Sequence, residues 1–322
     1  MSTKPTTDLG GRVVVLAGGL SHERDVSLRS GRRVADALRG VGVEVEERDV
    51  DASLVPSLVT ERPAAVFPVL HGAAGEDGAV RDVFDLLHIP YVGAAPEACR
   101  IAYDKPVAKT VVRSFGISTP DGLALPHSVF RELGAPAVLD AVLSHLGLPL
   151  VVKPTRGGSA LGASVVRTAE ELPGAMVGCF AYGDTALIER YVTGTEVAVS
   201  VIDTGDGIVA LPVAEIVPDG GFYDYAARYN AGATEFFVPA RLDDAQVEAA
   251  SKVALQAHEA LGLRDISRSD LVVDDAGTVW FLEVNVAPGM TETSLLPQSA
   301  SAAGLDLGEL CLALVRTAQE RG

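Results

Sequence analysis

Residues 12–17, RVVVLA, form an apolar run that stops at Gly18 and Gly19. Behind it, SHERDVSLRSGRRVADALRG places Leu28, Val34, Ala35 and Leu38 at helical spacing. A strand, a glycine turn and a helix in that order commit the chain to an α/β start. The pattern continues: VEVEERDV at 43–50 alternates as a strand, AAVFPVL at 64–70 reads as a buried strand, and VRDVFDLL at 80–87 returns to helical period. Repeated β-then-α units over residues 12–87 predict a parallel sheet with helices on both faces.

A second pattern begins near Ala98. A helix through Ala108 and Val112 ends at FGISTP, Pro120 and Pro126 break the chain, and PAVLDAVLSHLG is helical again. LPLVVKP at 148–154 is a strand, TRGGSALG a glycine-rich loop, and SVVR at 164–167 a strand that can pair back. In a P-loop the Lys follows the glycines and a helix comes next, so this loop is of another kind. From residue 185 strands dominate, in TALIERYV, EVAVSVI and IVALPVAEIV. The segment 218–234, with Tyr223, Asp224, Tyr225, Arg228 and Tyr229, is too irregular and aromatic for an ordinary connection and reads as a functional loop. DAQVEAASKVALQAHEALG is an amphipathic helix, SRSDLVVDDAGTVWFLEVN two strands joined by a turn at 275–277, and the tail from Pro297 is helical.

The 322 residues suffice for two or three domains. An apolar content of 48% with only 21% charged residues excludes a disordered chain. Lys plus Arg number 26 against 43 Asp plus Glu, and the resulting charge of −17 argues against a nucleic-acid partner. A local basic pocket can still take a small anion such as a nucleotide. Cys99, Cys179 and Cys311 lack disulfide or metal spacing and read as thiols in a reducing compartment. The polar opening MSTKPTTDLG and the lack of an apolar stretch near the ~18 residues of a membrane span predict a cytoplasmic protein with no membrane partner.

The hairpin at 268–285 is the strongest chemical constellation. Asp270 lies near the start of one strand, while Glu283 and Asn285 are two apart on its partner and share a face. Two carboxylates and an amide oxygen are hard ligands suited to Mg²⁺ that keeps sites for phosphates. The competing reading is a solvent-facing sheet edge, although unused charge directly after the apolar VWFL run would be costly to bury.

Lys153 ends the run LPLVV ahead of Gly157, Gly158, Ser159 and Gly162, so a lysine and pliable backbone N–H groups can meet phosphate together. A snorkelling lysine beside a plain hairpin turn is the alternative. Lys105 and Arg228 are weaker cationic candidates. His71 opens HGAAGEDG at the carboxyl end of a parallel strand, where open sheets bind ligands; it reads equally as a loop histidine capping Glu76. Glu23, at the edge of the first strand, is either a substrate ligand or an acid drawn to a helix N-terminus. Arg268 shares a face with Asp270 and could neutralise an anionic intermediate.

The ordered set GGLSHERDVSLRSG, HGAAGEDG, YDKPVAK, VVKPTRGGSALG, ALIERYVTGTE, FYDYAARY, SRSDLVVD and LEVNVAPGMTETSL resembles the D-alanine:D-alanine ligases of the ATP-grasp superfamily along essentially the whole chain. The resemblance implies three α/β domains, at 1–98, 99–187 and 188–322, with ATP held between the central and C-terminal ones. By motif, Lys105 and Lys153 would hold phosphates beside Ser159, with Arg228 where the family usually has Lys. Glu189, Arg190, Tyr191 and Val192 would line the adenine pocket, and Glu196 would take the ribose. Asp270, Glu283 and Asn285 would bind two Mg²⁺, with Mn²⁺ as a substitute and K⁺ as an activator. Glu23 would hold the ammonium of the first D-alanine with His71 nearby. Arg268 and the Gly289 N–H would stabilise the oxyanion, and Ser294 and Leu295 would seat the second D-alanine. Tyr229, linked to Ser159 and Glu23, would latch a lid and favour an amine acceptor over D-lactate. A homodimer is common in the family.

The sequence departs from the family pattern at Ala160, Arg190, Arg228, Val286 and Ala287. These changes leave open a paralogue that joins another amino-acid or amine pair, or a catalytically silent nucleotide-binding scaffold.

Overall fold

The computed structural model describes residues 7–223 and 232–321. Strands β1 (Val13–Leu16), β2 (Val45–Arg48) and β3 (Ala65–Pro68) form a parallel sheet in the order β2-β1-β3. Every β1 residue is buried because helices cover both faces. Val13 and Val15 pack with Val34 and Leu38 of the helix Arg24–Gly40 and with Leu310 and Leu314 of the helix Leu307–Glu320. Val14 and Leu16 pack with Leu54, Leu58 and Phe84 on the other side. The two-faced sheet matches the sequence reading. The final helix returns from the far end of the chain to complete it.

Strands β4 (Gly122–Pro126), β5 (Leu150–Pro154), β6 (Ser164–Val166) and β7 (Thr185–Arg190) form an antiparallel sheet, ordered β4-β7-β5-β6. Strand β5, the glycine loop and β6 form the expected unit. Strand β4 runs where the prolines suggested only a break. Among the described residues it pairs solely with β7, and at an edge a terminal proline removes no ladder bond.

The third sheet contains β8 (Thr195–Asp203), β9 (Ile208–Ala210), β10 (Ala214–Pro218), β11 (Thr234–Phe237), β12 (Ile266–Val273) and β13 (Val279–Asn285). Its path is β11-β10-β8-β12-β13, with β9 also on β8. The single strand expected over IVALPVAEIV is divided at Leu211–Val213, where Pro212 has no N–H; Leu211 N still donates to Ser200 O at 2.8 Å. The helix Asp244–Ala260 begins at an Asp243–Gln246 capping box. Its Ala250, Ala254 and Ala257 pack against the third sheet together with Ala102, Ala108 and Val112. Among the described residues, no helix is long and apolar enough to cross a membrane.

Asp265, just before β12, joins distant parts of the chain. Its side chain is 0% exposed, receives both arms of Arg321 at 2.7 and 2.6 Å, and accepts the Gly93 N–H at 2.6 Å. Arg321→Met would leave this buried carboxylate without its counter-charge. The expected loss is about 3 kcal/mol of stability, read by chemical denaturation. A loss well under ~1 kcal/mol would show that the pair bears little of the fold.

Candidate active site

Two adjoining cavities lie among the three sheets. The first, about 390 Å³, is walled by β5 and β7 on one side and by β10, β12 and β13 on the other. Lys153, Glu189, Arg190, Tyr191, Val192 and Glu196 line it. The second, about 140 Å³, brings Glu23, His71, Ser159, Arg268, Gly289 and Ser294 together, with Asn285 and Leu295 also on its wall. Lys105, Gly157, Gly158, Tyr223 and Glu283 border both cavities. Arg228 and Tyr229 lie outside the described residues.

Glu189 is only 2% exposed, with Lys153 Nζ 2.7 Å from one carboxylate oxygen and Lys109 on the other. Burial opposes ionisation of Glu189, but the two ammonium groups outweigh it and hold the carboxyl below its ordinary range. Lys153 is likewise held above its ordinary value, because Glu189 and Glu283 outweigh the cost of burial. For Lys109 burial prevails and pushes it down to about 8, against the attraction of Glu189. Sequence reasoning missed Lys109. Its signal was the spacing in YDKPVAK, which puts it one turn beyond Lys105 on the helix Lys105–Ser114.

The hairpin register places Asp270 opposite Glu283 and Arg268 opposite Asn285, with a bulge after Asp270. Asp270 is 4% exposed, which excludes the solvent-facing edge for that residue. Arg268 forks onto it, Nε to Oδ1 at 2.7 Å and Nη2 to Oδ2 at 3.0 Å. Burial opposes the guanidinium charge, yet Asp270 outweighs it and raises the Arg268 pKa. Lys105 Nζ donates to Gly157 O at 2.8 Å and stands 3.4 Å from Glu283. The Asn285 amide oxygen accepts the Ala287 N–H at 2.8 Å and retains a second lone pair. Among the described residues, no cluster of three or more His, Cys, Asp or Glu could hold a metal. Asp270, Glu283 and the Asn285 amide are the hard-oxygen set present.

Glu23 occupies the N-cap of the helix Arg24–Gly40 without a side-chain cap bond. Its carboxylate instead accepts the Ser159 hydroxyl, tying the first helix to the glycine loop. His71 does not cap Glu76; the Glu76 carboxyl accepts the Gly72 N–H at 2.9 Å. His71 Nδ1 lies 3.0 Å from Ala287 O, and Nε2 lies 3.4 Å from Ser30 Oγ, which accepts the Met290 N–H. Burial lowers the His71 pKa, favouring a neutral ring that donates from Nδ1. The histidine thus anchors the loop carrying Gly289. A Cβ at Gly289 would come within 2.6 Å of Ser294 Oγ, so a larger residue there would turn that hydroxyl away from its contact with Thr291.

This arrangement can oppose anionic groups in the first cavity to a small zwitterion in the second, across a shared rim of one lysine, one carboxylate and glycine backbone. The model "D-ala D-ala ligase C-terminus" matches residues 111–316, and "D-ala D-ala ligase N-terminus" matches residues 42–94. The D-alanine–D-alanine ligase of Anaeromyxobacter dehalogenans (strain 2CP-1) is 42% identical over 306 residues, covering 95% of this chain and 96% of that protein. The D-alanine–D-alanine ligase of Pelotomaculum thermopropionicum is 38% identical over 309 residues, covering 96% and 97%. The VanG D-Ala:D-Ser ligase from Enterococcus faecalis superposes with a TM-score of 0.82 at 26% identity, covering 96% of this chain and 99% of that one. The Bacillus anthracis D-alanine–D-alanine ligase complexed with ATP superposes at 0.79 with 29% identity, covering 97% and 100%.

Fold and site together define an ATP-grasp ligase. Within that class, the chain belongs to the D-alanine–D-alanine ligase family.

Glu76, on the wall of the second cavity, was read from sequence only as a cap partner. Burial, helped by the nearby Glu23 charge, pushes its carboxyl up to about 8. A folded-state pKa above the unfolded value means a stabilising contribution that is complete below the ordinary carboxylate range and is lost as pH rises through about 8. Glu76→Gln keeps the acceptor for Gly72 and removes the titration. Denaturation midpoints of variant and parent should therefore diverge in the variant's favour between about pH 5 and about pH 8.5. Parallel profiles would contradict the raised carboxyl.

Proposed function

We propose that this chain joins two D-alanines into D-alanyl-D-alanine at the expense of ATP, through a D-alanyl phosphate, supplying the dipeptide of peptidoglycan precursors. The observation carrying the reading is the meeting of the two cavities at Lys105 and Glu283. An acid in the smaller cavity can meet a terminal phosphate presented by the larger one along the border that these two residues share with Gly157, Gly158 and Tyr223.

In this reading Lys105, Lys153 and the glycine-loop backbone with Ser159, together with Arg228, hold the ATP phosphates. Glu189, Arg190, Tyr191 and Val192 border the adenine, and Glu196 the ribose. Asp270, Glu283 and Asn285 would hold Mg²⁺, which would neutralise phosphate charge. Glu23 holds the ammonium of the first D-alanine, near His71, and its carboxylate attacks the γ-phosphate to give an acyl phosphate and ADP. The amine of the second D-alanine, seated by Ser294 and Leu295, then attacks the acyl carbon. Arg268 and the Gly289 N–H face the oxyanion of the tetrahedral intermediate, which expels phosphate as the dipeptide forms. Water must be kept out, since it would hydrolyse the acyl phosphate; Tyr229 is assigned to that closure and to the preference for an amine acceptor. The reading also carries a division into units 1–98, 99–187 and 188–322, and a homodimer in the cytoplasm.

Purified protein with Mg-ATP should release phosphate with D-alanine, matched by D-alanyl-D-alanine on mass analysis, and not with L-alanine or without an amino acid. Silence with D-alanine, or a much faster reaction with D-serine or with D-alanine plus D-lactate, would overturn the substrate assignment. Glu283→Gln should lower kcat by about 100-fold. Unchanged turnover at saturating Mg²⁺ would remove Glu283 from the metal site.

A further inference from the structure

Lys153 and Glu189 line the first cavity, whereas Lys109 does not: it meets Glu189 from the helix Lys105–Ser114 and is 2% exposed. The two lysines therefore differ in what they can reach. Lys153 can exchange Glu189 for an anion in the cavity, while Lys109 stays on the carboxylate. The trio of two lysines and one glutamate carries one excess positive charge at the cavity wall of a chain whose net charge is −17. Without Lys109, withdrawal of Lys153 would strand a buried carboxylate with no counter-charge. Glu189 would then compete with phosphate for the same ammonium group.

We propose that Lys109 is a positioning residue that holds Glu189 while Lys153 moves from that carboxylate to the phosphates of ATP. Lys109 touches no substrate in this account; it lowers the cost of releasing the lysine that does. The inference rests on the nucleotide reading of the first cavity and on a phosphate role for Lys153.

The test is a cycle of Lys109→Met, Glu189→Gln and the double variant, with Lys153→Met as a control. The readouts are Mg-ADP affinity by calorimetry, KM for ATP and for D-alanine, and thermal unfolding. Lys109→Met should raise the ATP KM and the ADP Kd about tenfold with the D-alanine KM unchanged. In the Glu189→Gln background the same change should cost less than about twofold, because no carboxylate remains to retain Lys153. Equal losses in both backgrounds, or an unchanged ATP KM, would overturn the proposal. Should Lys109→Met alone fail to fold, Glu189→Gln against the double variant still decides: equal ATP KM values support the hand-off, and a further tenfold loss refutes it. Unchanged ADP affinity in Lys153→Met would sink the underlying phosphate assignment and the hand-off with it. Weakened binding there with an unaffected Lys109→Met sinks the Lys109 role alone.

Discussion

A charge taken out of water needs a counter-charge or a set of hydrogen bonds, and at the junction of the two cavities the partners come from separate parts of the chain. Glu23 at the first helix receives the hydroxyl of Ser159 from the glycine loop. Lys105 reaches both Gly157 O and Glu283. Glu189 on β7 is held by Lys153 from β5 and by Lys109 from a helix. His71, after β3, is tied to Ala287 beyond β13. Each contact satisfies a buried polar group, and most of them fix side chains of one part of the fold relative to another; Lys153 and Glu189 alone share a sheet. The geometry of the site and the assembly of the fold are thus the same set of interactions.

At Ala160 and Ala287, two of the positions read from the sequence as departures from the family pattern, the structure relies on backbone groups. Val286 and Ala287 are buried, and the groups of Ala287 in use are its N–H, given to Asn285, and its carbonyl, facing His71. Backbone groups do not depend on the side chain, so apolar residues at 286 and 287 leave the loop before Gly289 anchored. At Ala160 the backbone φ is +55° and the residue lines the first cavity. The glycine loop there offers backbone to the cavity.

Much of this was legible from local pattern. The run RVVVLA followed by glycines and a helical period foretold β1 and its helix, because burial on both sides demands a continuous apolar strand. That Glu283 and Asn285 share a face followed from the period of two along a strand, whereas the pairing of Asp270 with Glu283 depends on the bulge after Asp270, which no local pattern announced. Strand β4 was hidden because an edge strand with prolines takes its register from β7 rather than from its own alternation. The return of the helix Leu307–Glu320 onto the first sheet left no local mark either, since its apolar face looks the same whichever sheet receives it. Lys109 and Glu76 were missed for a related reason. A lysine one turn beyond another, or a glutamate in a glycine-rich loop, becomes unusual only when distant residues bury it.

The central claim is that the carboxylate of one substrate attacks the terminal phosphate of ATP where the two cavities meet. The most direct measurement uses D-alanine carrying oxygen-18 in both carboxyl positions, with mass analysis of the phosphate released alongside the dipeptide. Attack by the carboxylate followed by departure of phosphate from the acyl carbon predicts one oxygen-18 atom in each phosphate. Unlabelled phosphate would mean that ATP is cleaved by water, and label in AMP would mean activation at a different phosphorus; either result would contradict the account.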